Sequence, residues 1–487
     1  MAALVLSGCS GSGGAGGGTG SAFTGSEEFL ALMRDARDAA QDGDLDDAGR
    51  LLDEARELEP ENPGLWVDIA RLRFRGGEHK QALDAANYAL ELGPKFAPAL
   101  LLKAQMVRDA YGLSDALVWF EAAAEADPNN ALILSEYAAT LGDAGYNAEM
   151  LGVVRALADL DPESEKVLYF QAVLSARAGK LVLAKSLLER SGEVEKGIPA
   201  ALMLDAVVDL QERRFDTAAE TLIRLAERQP SNMRVAELLG RALWLGGRDD
   251  ELVDRFAQRA RQPDASPYLI MLVGRALERQ GKRAEAAPFL ERGYAGRADG
   301  WVPLANNAVL AGTLPEPSAR MRQMIDARQF NAARRYARSL KKRFSGSTDI
   351  AVLAGDASLA ARNPSEALEF YREAALVRRP WPLTRKAAAA YRDFGDPIAA
   401  DVLIARHLVG EPRNIEALLL HAEHSARAED WLRVEVLLDN AIDLGAGNDA
   451  RILKLRGIAA RALGKTADAE AFERMTWDLH PAILPQG

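Results

Sequence analysis

The stretch Asp115–Pro128, DALVWFEAAAEADP, sets the pattern of the whole chain. Ala116, Phe120, Ala123 and Pro128 follow one another at intervals of four, three and five residues, so the first three share one face of a helix. Alanine on that face lets a neighbouring helix approach closely and phenylalanine fills the space between layers. The proline ends the element, because it lacks the N–H and crowds the preceding turn. The same skeleton stands at Ala82, Ala86, Ala89 and Pro94, and before that at Ala48, Leu52, Ala55 and Pro60, so the closing prolines are spaced by 34 residues. Pro162 continues the ladder, and Pro230 falls two periods later with Lys196 at the skipped rung. A fixed period of this length predicts helix-turn-helix repeats stacked into a solenoid.

Composition agrees with that reading. The chain of 487 residues is 48% hydrophobic with only 6% aromatic residues, which is helix-forming material able to bury a continuous core. Because each repeat touches only its neighbours, length here predicts one rod rather than several globular domains. A formal net charge of -11 argues against general nucleic-acid binding, which needs a basic footprint to displace counterions from phosphates. No apolar run reaches the roughly 20 residues of a membrane-spanning helix. The single cysteine, Cys9, excludes an internal disulfide framework and a cysteine-based metal site.

In chain order, Ser10 to Gly25 is almost wholly Gly, Ser, Ala and Thr and reads as a flexible tether over residues 10–25, with a reach of about 20 to 24 Å. Its GSGGAG run, Gly11 to Gly16, matches a dinucleotide-binding fingerprint only formally, since no strand precedes it and no helix opens from it. From Glu27 the apolar stripe Phe29, Leu30, Met33, Ala36 and Ala40 is helical, Gly43 breaks it, and Leu45 to Glu59 returns as the partner helix. The next unit opens near Pro63 with Trp66, Ile69 and Ala70. Later units open near Ala97, Ala131, Glu165, Pro199, Met233 and Pro267.

These units resemble tetratricopeptide repeats, whose order of Trp or Leu, small residue, aromatic, then Ala, aromatic and Ala ending in Pro is matched best over Leu65 to Pro162. Gly240 and Gly274 occupy the small place in their first helices. Two units depart from the pattern: one ends near Ser191-Gly192 without a proline, and another carries Arg259 where the small residue belongs. The resemblance implies an all-α, right-handed superhelical solenoid of about thirteen repeats. Residues 27–300 form the first repeat block, residues 301–347 an irregular joint holding an extra helix, and residues 348–487 a second block. In the second block the last helix is expected over Glu470 to His480, and Pro481 to Pro485 would fold back as a cap.

The leader carries a second resemblance. Leu6-Ser7-Gly8-Cys9 behind a short apolar run is similar to the lipobox of bacterial lipoproteins, so residues 1–9 read as a truncated-looking signal segment and Cys9 as the lipidated residue. Ser10 is not the aspartate linked with inner-membrane retention, which implies an outer-membrane lipoprotein facing the periplasm.

Chemistry is sparse. His421-Ala422-Glu423-His424 sets two imidazoles on one helical face but fits neither HExxH nor HxxEH. A packed His421 beside a solvated His424 is the expectation, with a metal-dependent enzyme using the pair as the minor alternative. No catalytic residue, metal site or cofactor is assigned, and the chain reads as non-enzymatic. Charge is more telling: Glu27 to Asp68 holds 14 acidic against 4 basic residues, while Arg320 to Arg343 holds 9 basic against 1 acidic. Arg334, Arg335, Arg338, Lys341, Lys342 and Arg343, with Tyr336 and Phe344 between them, are the candidates for docking an acidic segment, an anionic polysaccharide or lipid head groups. The expected role is a lipid-anchored interaction scaffold in the bacterial envelope, holding an extended peptide or helix of a partner protein in its concave groove. By resemblance such a protein assembles pili or secretion channels, or alternatively organises exopolysaccharide synthesis and export. No nucleic-acid partner is expected.

Overall fold

The computed structural model describes residues 24–295 and 315–479, apart from 231, 263, 264 and 448. Cys9, nearly all of the tether, Trp301 and the segment after Leu479 lie outside the described residues. Within them the chain is all α-helix, arranged as thirteen antiparallel hairpins. The first helices are α1 (Glu27–Asp42), α3 (Pro63–Arg75), α5 (Ala97–Tyr111), α7 (Ala131–Ala144), α9 (Glu165–Arg177), α11 (Pro199–Gln211), α13 (Met233–Leu245) and α15 (Pro267–Arg279). Their partners are α2 (Leu45–Leu58), α4 (His79–Leu92), α6 (Leu113–Ala126), α8 (Asn147–Leu160), α10 (Leu181–Ser191), α12 (Phe215–Arg228), α14 (Asp249–Ala260) and α16 (Arg283–Ala295). After residue 314 follow α17 (Pro315–Asp326), α18 (Phe330–Arg343), α19 (Thr348–Ala360), α20 (Pro364–Ala375), α21 (Trp381–Phe394), α22 (Pro397–Gly410), α23 (Ile415–Arg427), α24 (Trp431–Ala441), α25 (Ala450–Ala462) and α26 (Thr466–Leu479). A π-helical turn at Ile442–Ala446 extends α24. Thus a hairpin, α17 with α18, lies inside the segment read as a joint. The final helix begins at Thr466, four residues before the expected start.

The regularity has local causes. Second helices stop at Leu58, Leu92, Ala126, Leu160, Arg228 and Gly410, two residues before Pro60, Pro94, Pro128, Pro162, Pro230 and Pro412. The residue before each proline is driven out of the helical region, as in Glu59 at φ -138° and Asp127 at φ -144°. Where the proline is missing, Gly192 ends α10 in the left-handed conformation at φ 66°. First helices open on side-chain caps from Asn62, Asn130, Asn232, Ser266, Ser347 and Asn414, each contributing about 1 kcal/mol.

Packing repeats with the same period. The fourth residue of nearly every second helix is fully enclosed, as in Ala48, Ala82, Ala116, Met150, Ala184, Ala218, Leu252, Ala286, Ala333, Ala367, Ala400 and Val434. The eighth residue of a first helix is Ala or Gly in the units opening at Pro63, Ala97, Ala131, Glu165, Pro199, Met233, Pro267, Thr348, Trp381, Ile415 and Ala450. At Gly355 the reason is direct: a Cβ there would run into the ring of Tyr371 on the partner helix. Beside Arg259, Ala260 takes the buried place by a one-residue slip.

The described residues form two compact units, each discontinuous in sequence: 24–160 with 315–412, and 161–295 with 413–479. In the first, an edge of the early hairpins meets turns of the later ones. His79, at the start of α4, is buried against Thr348 at the start of α19, and its Nδ1 accepts the Thr348 backbone N–H at 3.2 Å. The backbone N–H of Arg379 donates to the carbonyl of Asp109 at 3.0 Å. Between α5 and α6, Gly112 lies so close to Gly410 that an added Cβ would stand 2.7 Å from the Gly410 Cα. In the second unit, Lys454 of α25 lies 5.8 Å from the centroid of Tyr294 on α16.

Candidate functional site

The cationic helix α18 is the second helix of its hairpin, and the hairpin geometry sorts its charges onto two faces. Ala333, Ala337 and Leu340 are buried, with Tyr336 packed partly against the same core. Flanking that core, Arg334 and Arg338 both reach Glu366 in the first turn of α20, the Arg338 Nε to Glu366 Oε1 contact being 2.8 Å. Lys341 reaches Glu373 at 2.5 Å. Burial raises the Glu366 carboxyl, and the hydrogen bonds from Arg334, Arg338 and Ser358 outweigh it, leaving it below its ordinary value. Glu366 is therefore a carboxylate under the working conditions, and it neutralises part of the cationic set from inside the protein. Arg335, Lys342 and Arg343 are exposed, and among the described residues no ion pair takes them up. Arg343 lies 5.2 Å from the ring of exposed Phe344. Sequence singled out six cations; the structure divides them into three that brace α20 and three that face outward.

A second surface lies on the early hairpins. Trp66 and Tyr88 meet edge to face at 4.7 Å between ring centroids. With Arg73, Gln81, Asp84 and Ala85 they line a shallow groove between α3 and α4 of about 330 Å³. One repeat on, Lys103 donates to Asn87 at 2.8 Å and lies 5.7 Å from the Trp119 centroid, with burial holding its ammonium below the ordinary value. Half-exposed aromatic rings beside charged groups supply both apolar area and polar anchors. Position alone marks these residues, since the repeat pattern assigns Trp66 to packing.

Three buried charge clusters were not evident from sequence. Lys386 on α21 is 1% exposed and pairs with fully buried Asp356 at 2.5 Å, while the Tyr371 hydroxyl donates to the same carboxylate at 2.7 Å. Burial, then the neighbouring Asp356, pushes the Tyr371 hydroxyl well up. Lys185 on α10 joins Asp205 and Asp209 on α11, and Arg214 reaches Asp209 at 2.5 Å. Burial lowers the Lys185 ammonium, but the two carboxylates outweigh it and it stays above its ordinary value. Arg456 on α25 joins Glu435 and Asp439 of α24. Each cluster ties a first helix to a neighbouring helix, a structural task.

His421 and His424 are both buried on α23, so the expectation of a solvated His424 is corrected: the face that carries both rings points inward. Among the described residues, no group of three or more His, Cys, Asp or Glu side chains is placed to hold a metal ion. Among them also, no helix is long and apolar enough to cross a membrane.

A stack of helical hairpins with paired charges inside and aromatic and cationic groups outside defines a repeat scaffold for protein interaction. Residues 39–106 and 206–270 match family models described as tetratricopeptide repeat, so the chain contains tetratricopeptide repeats in both stretches. Similar solved structures include a MamA fragment from Desulfovibrio magneticus RS-1, 18% identical over 35% of this chain and 97% of that chain, with a TM-score of 0.29. Another is a tetratricopeptide repeat protein from Parabacteroides merdae, 17% identical over 56% of this chain and 95% of that one, with a TM-score of 0.27. YrrB, described as having an unusual peptide-binding site, is 18% identical over 36% of this chain and 91% of its own, with a TM-score of 0.29. No curated protein matches the chain.

Proposed function

We propose that this protein is a non-enzymatic scaffold that holds an extended segment of a partner protein along its repeats. The observation that carries the proposal is the groove between α3 and α4, where Trp66 and Tyr88 stand beside Arg73 and Asp84. Tryptophan, tyrosine and arginine are the side chains that most often dominate binding energy at interfaces, and a groove offering all three suits a peptide with one apolar and one acidic group. The lipobox resemblance at Cys9 supports attachment to the outer membrane, facing the periplasm, and that address supports a role in assembling a pilus or secretion apparatus.

Cross-linking in intact envelopes followed by mass spectrometry tests the role. Recovery of secretin or pilus subunits with cross-links on α3 and α4, lost in Trp66→Ala/Tyr88→Ala, supports it. Recovery of polysaccharide synthases alone overturns it in favour of a second reading, a scaffold of exopolysaccharide synthesis or export. That reading draws on the outward-facing Arg335, Lys342 and Arg343 of α18, which suit an anionic partner. For the anchor, Cys9→Ser is expected to release the protein from membranes, and retention would defeat it.

A further inference from the structure

The outward face of α18 has a counterpart on the same chain. Arg335 and Lys342 stand seven residues apart with Arg338 between them, and all three are exposed. Seven residues are two turns, so the terminal cations are about 10.5 Å apart along the helix axis. On α1, Asp35 and Asp42 are also seven residues apart, with Asp38 between them, and all three are exposed. The two helices therefore present charges of opposite sign at the same pitch. Among the described residues no ion pair joins α1 to α18, and none engages Asp35, Asp38, Asp42, Arg335 or Lys342.

We propose that the cationic stripe of α18 docks the acidic stripe of α1 in a second copy of this chain, so that copies join head to tail. The proposal rests on reading α18 as a surface for an anionic partner and names that partner. An antiparallel alignment sets Asp42 against Arg335 and Asp35 against Lys342. It also supplies something α1 lacks. Asp42 is the last residue of its helix, where unsatisfied carbonyls make a carboxylate unfavourable, and the last turn holds no basic residue. A cation arriving from another copy relieves that repulsion. Arg338 is already shared with Glu366, so Arg335 and Lys342 carry the contact. The two stripes are different surfaces, so the contact is heterologous and generates rings or open chains rather than a two-fold dimer. Exposed pairs of this kind are individually weak and screened by salt, which makes the assembly concentration-dependent and reversible.

Sedimentation velocity of the full chain tests this. Wild type is expected to assemble at low ionic strength, on the order of 0.02 M, and to dissociate at about 0.3 M salt, where the screening length is below 10 Å. Arg335→Glu/Lys342→Glu and Asp35→Lys/Asp42→Lys should each sediment as monomer, with association at least about tenfold weaker. Mixed together, the two variants should co-assemble into alternating chains or rings like those of wild type, because the intact stripes match each other and the reversed stripes do too. A chain carrying all four substitutions should assemble again. Because every altered position is exposed, circular dichroism should match wild type in each variant. A wild-type chain that stays monomeric at low salt, or reversed variants that assemble as wild type does, would overturn the proposal. Chromatography on an immobilised polyuronate separates the two readings. Monomeric protein retained there, with retention lost in Arg335→Glu/Lys342→Glu, overturns self-docking and leaves α18 an anion-binding surface. Monomeric protein that is not retained overturns both.

Discussion

The imidazole of His79 accepts the backbone N–H of Thr348 across 269 residues of sequence, and in doing so it caps a helix to which it does not belong. Nδ1 can accept only while it carries no proton. Burial holds the ring below its ordinary value of 6.5; the Asp349 carboxylate opposes that shift and the Arg378 guanidinium adds to it. On its own side the ring meets Phe74 at 4.9 Å. Since the folded ring titrates lower than the unfolded one, the bond is at full strength above about pH 6.5 and weakens progressively below it. Amide exchange at Thr348 and Ile350, corrected for intrinsic rate, is therefore expected to quicken between pH 7.5 and 5.5. In His79→Ala it should be several-fold faster at both values and lose its dependence on pH, in keeping with about 1 kcal/mol for such a bond.

The other end of that contact depends on two glycines. Gly112 has φ 112°, a region that strains any side chain, and it faces the Gly410 backbone directly. Gly112→Ala is expected to cost about 1 to 3 kcal/mol locally. The effect should be read as faster exchange of the Arg379 amide, which is bonded to the Asp109 carbonyl. Unchanged protection at Arg379 would separate the glycine approach from the neighbouring hydrogen bond.

Two other glycines make a controlled pair. Gly355 and Gly457 occupy the same place in their first helices, but a Cβ at Gly355 collides with Tyr371, whereas at Gly457 the nearest atom is Phe472 Cβ at 3.4 Å. Gly355→Ala should destabilise by about 1 to 3 kcal/mol through overpacking. Gly457→Ala should be neutral or stabilise by up to about 1 kcal/mol, because alanine restricts the unfolded chain. Thermal unfolding of the two variants side by side checks the sign of each.

The Lys386–Asp356 pair is the most enclosed ion pair of the three charge clusters. Asp356→Ala leaves a buried ammonium and the Tyr371 hydroxyl without their acceptor, and is expected to cost about 3 to 5 kcal/mol. Asp356→Leu combined with Lys386→Met should recover much of that loss, leaving the hydroxyl of Tyr371 as the residual penalty. A double variant as unstable as Asp356→Ala would mean that packing, rather than charge, dominates this site.

Helix ends and the stacking face were legible in the sequence because they depend on local chemistry. Pro60, Pro94 and Pro128 act on their own preceding residues, and Ala82 or Ala116 meets a helix one turn of chain away. Lys386 was not legible, because a lysine in a helical register looks the same whether it meets water or a carboxylate 30 residues off. The contact of His79 with Thr348 was invisible for a related reason: a period states which residues are equivalent, not which distant turns meet. The cationic run on α18 was plain as composition, yet only the position of Glu366 and Glu373 separates its bracing cations from its outward ones.

The interleaving of the two units also sets an order of events during synthesis. At about 5 to 20 residues per second, roughly 13 to 54 s separate the emergence of His79 from that of Thr348. The early hairpins can form in that interval from local contacts, but their edge at His79, Asp109 and Gly112 gains its partners only as Thr348, Arg379 and Gly410 emerge in turn. For a protein whose pattern is otherwise nearest-neighbour, this closure and the one between Tyr294 and Lys454 raise the contact order and place slow, late steps in its folding.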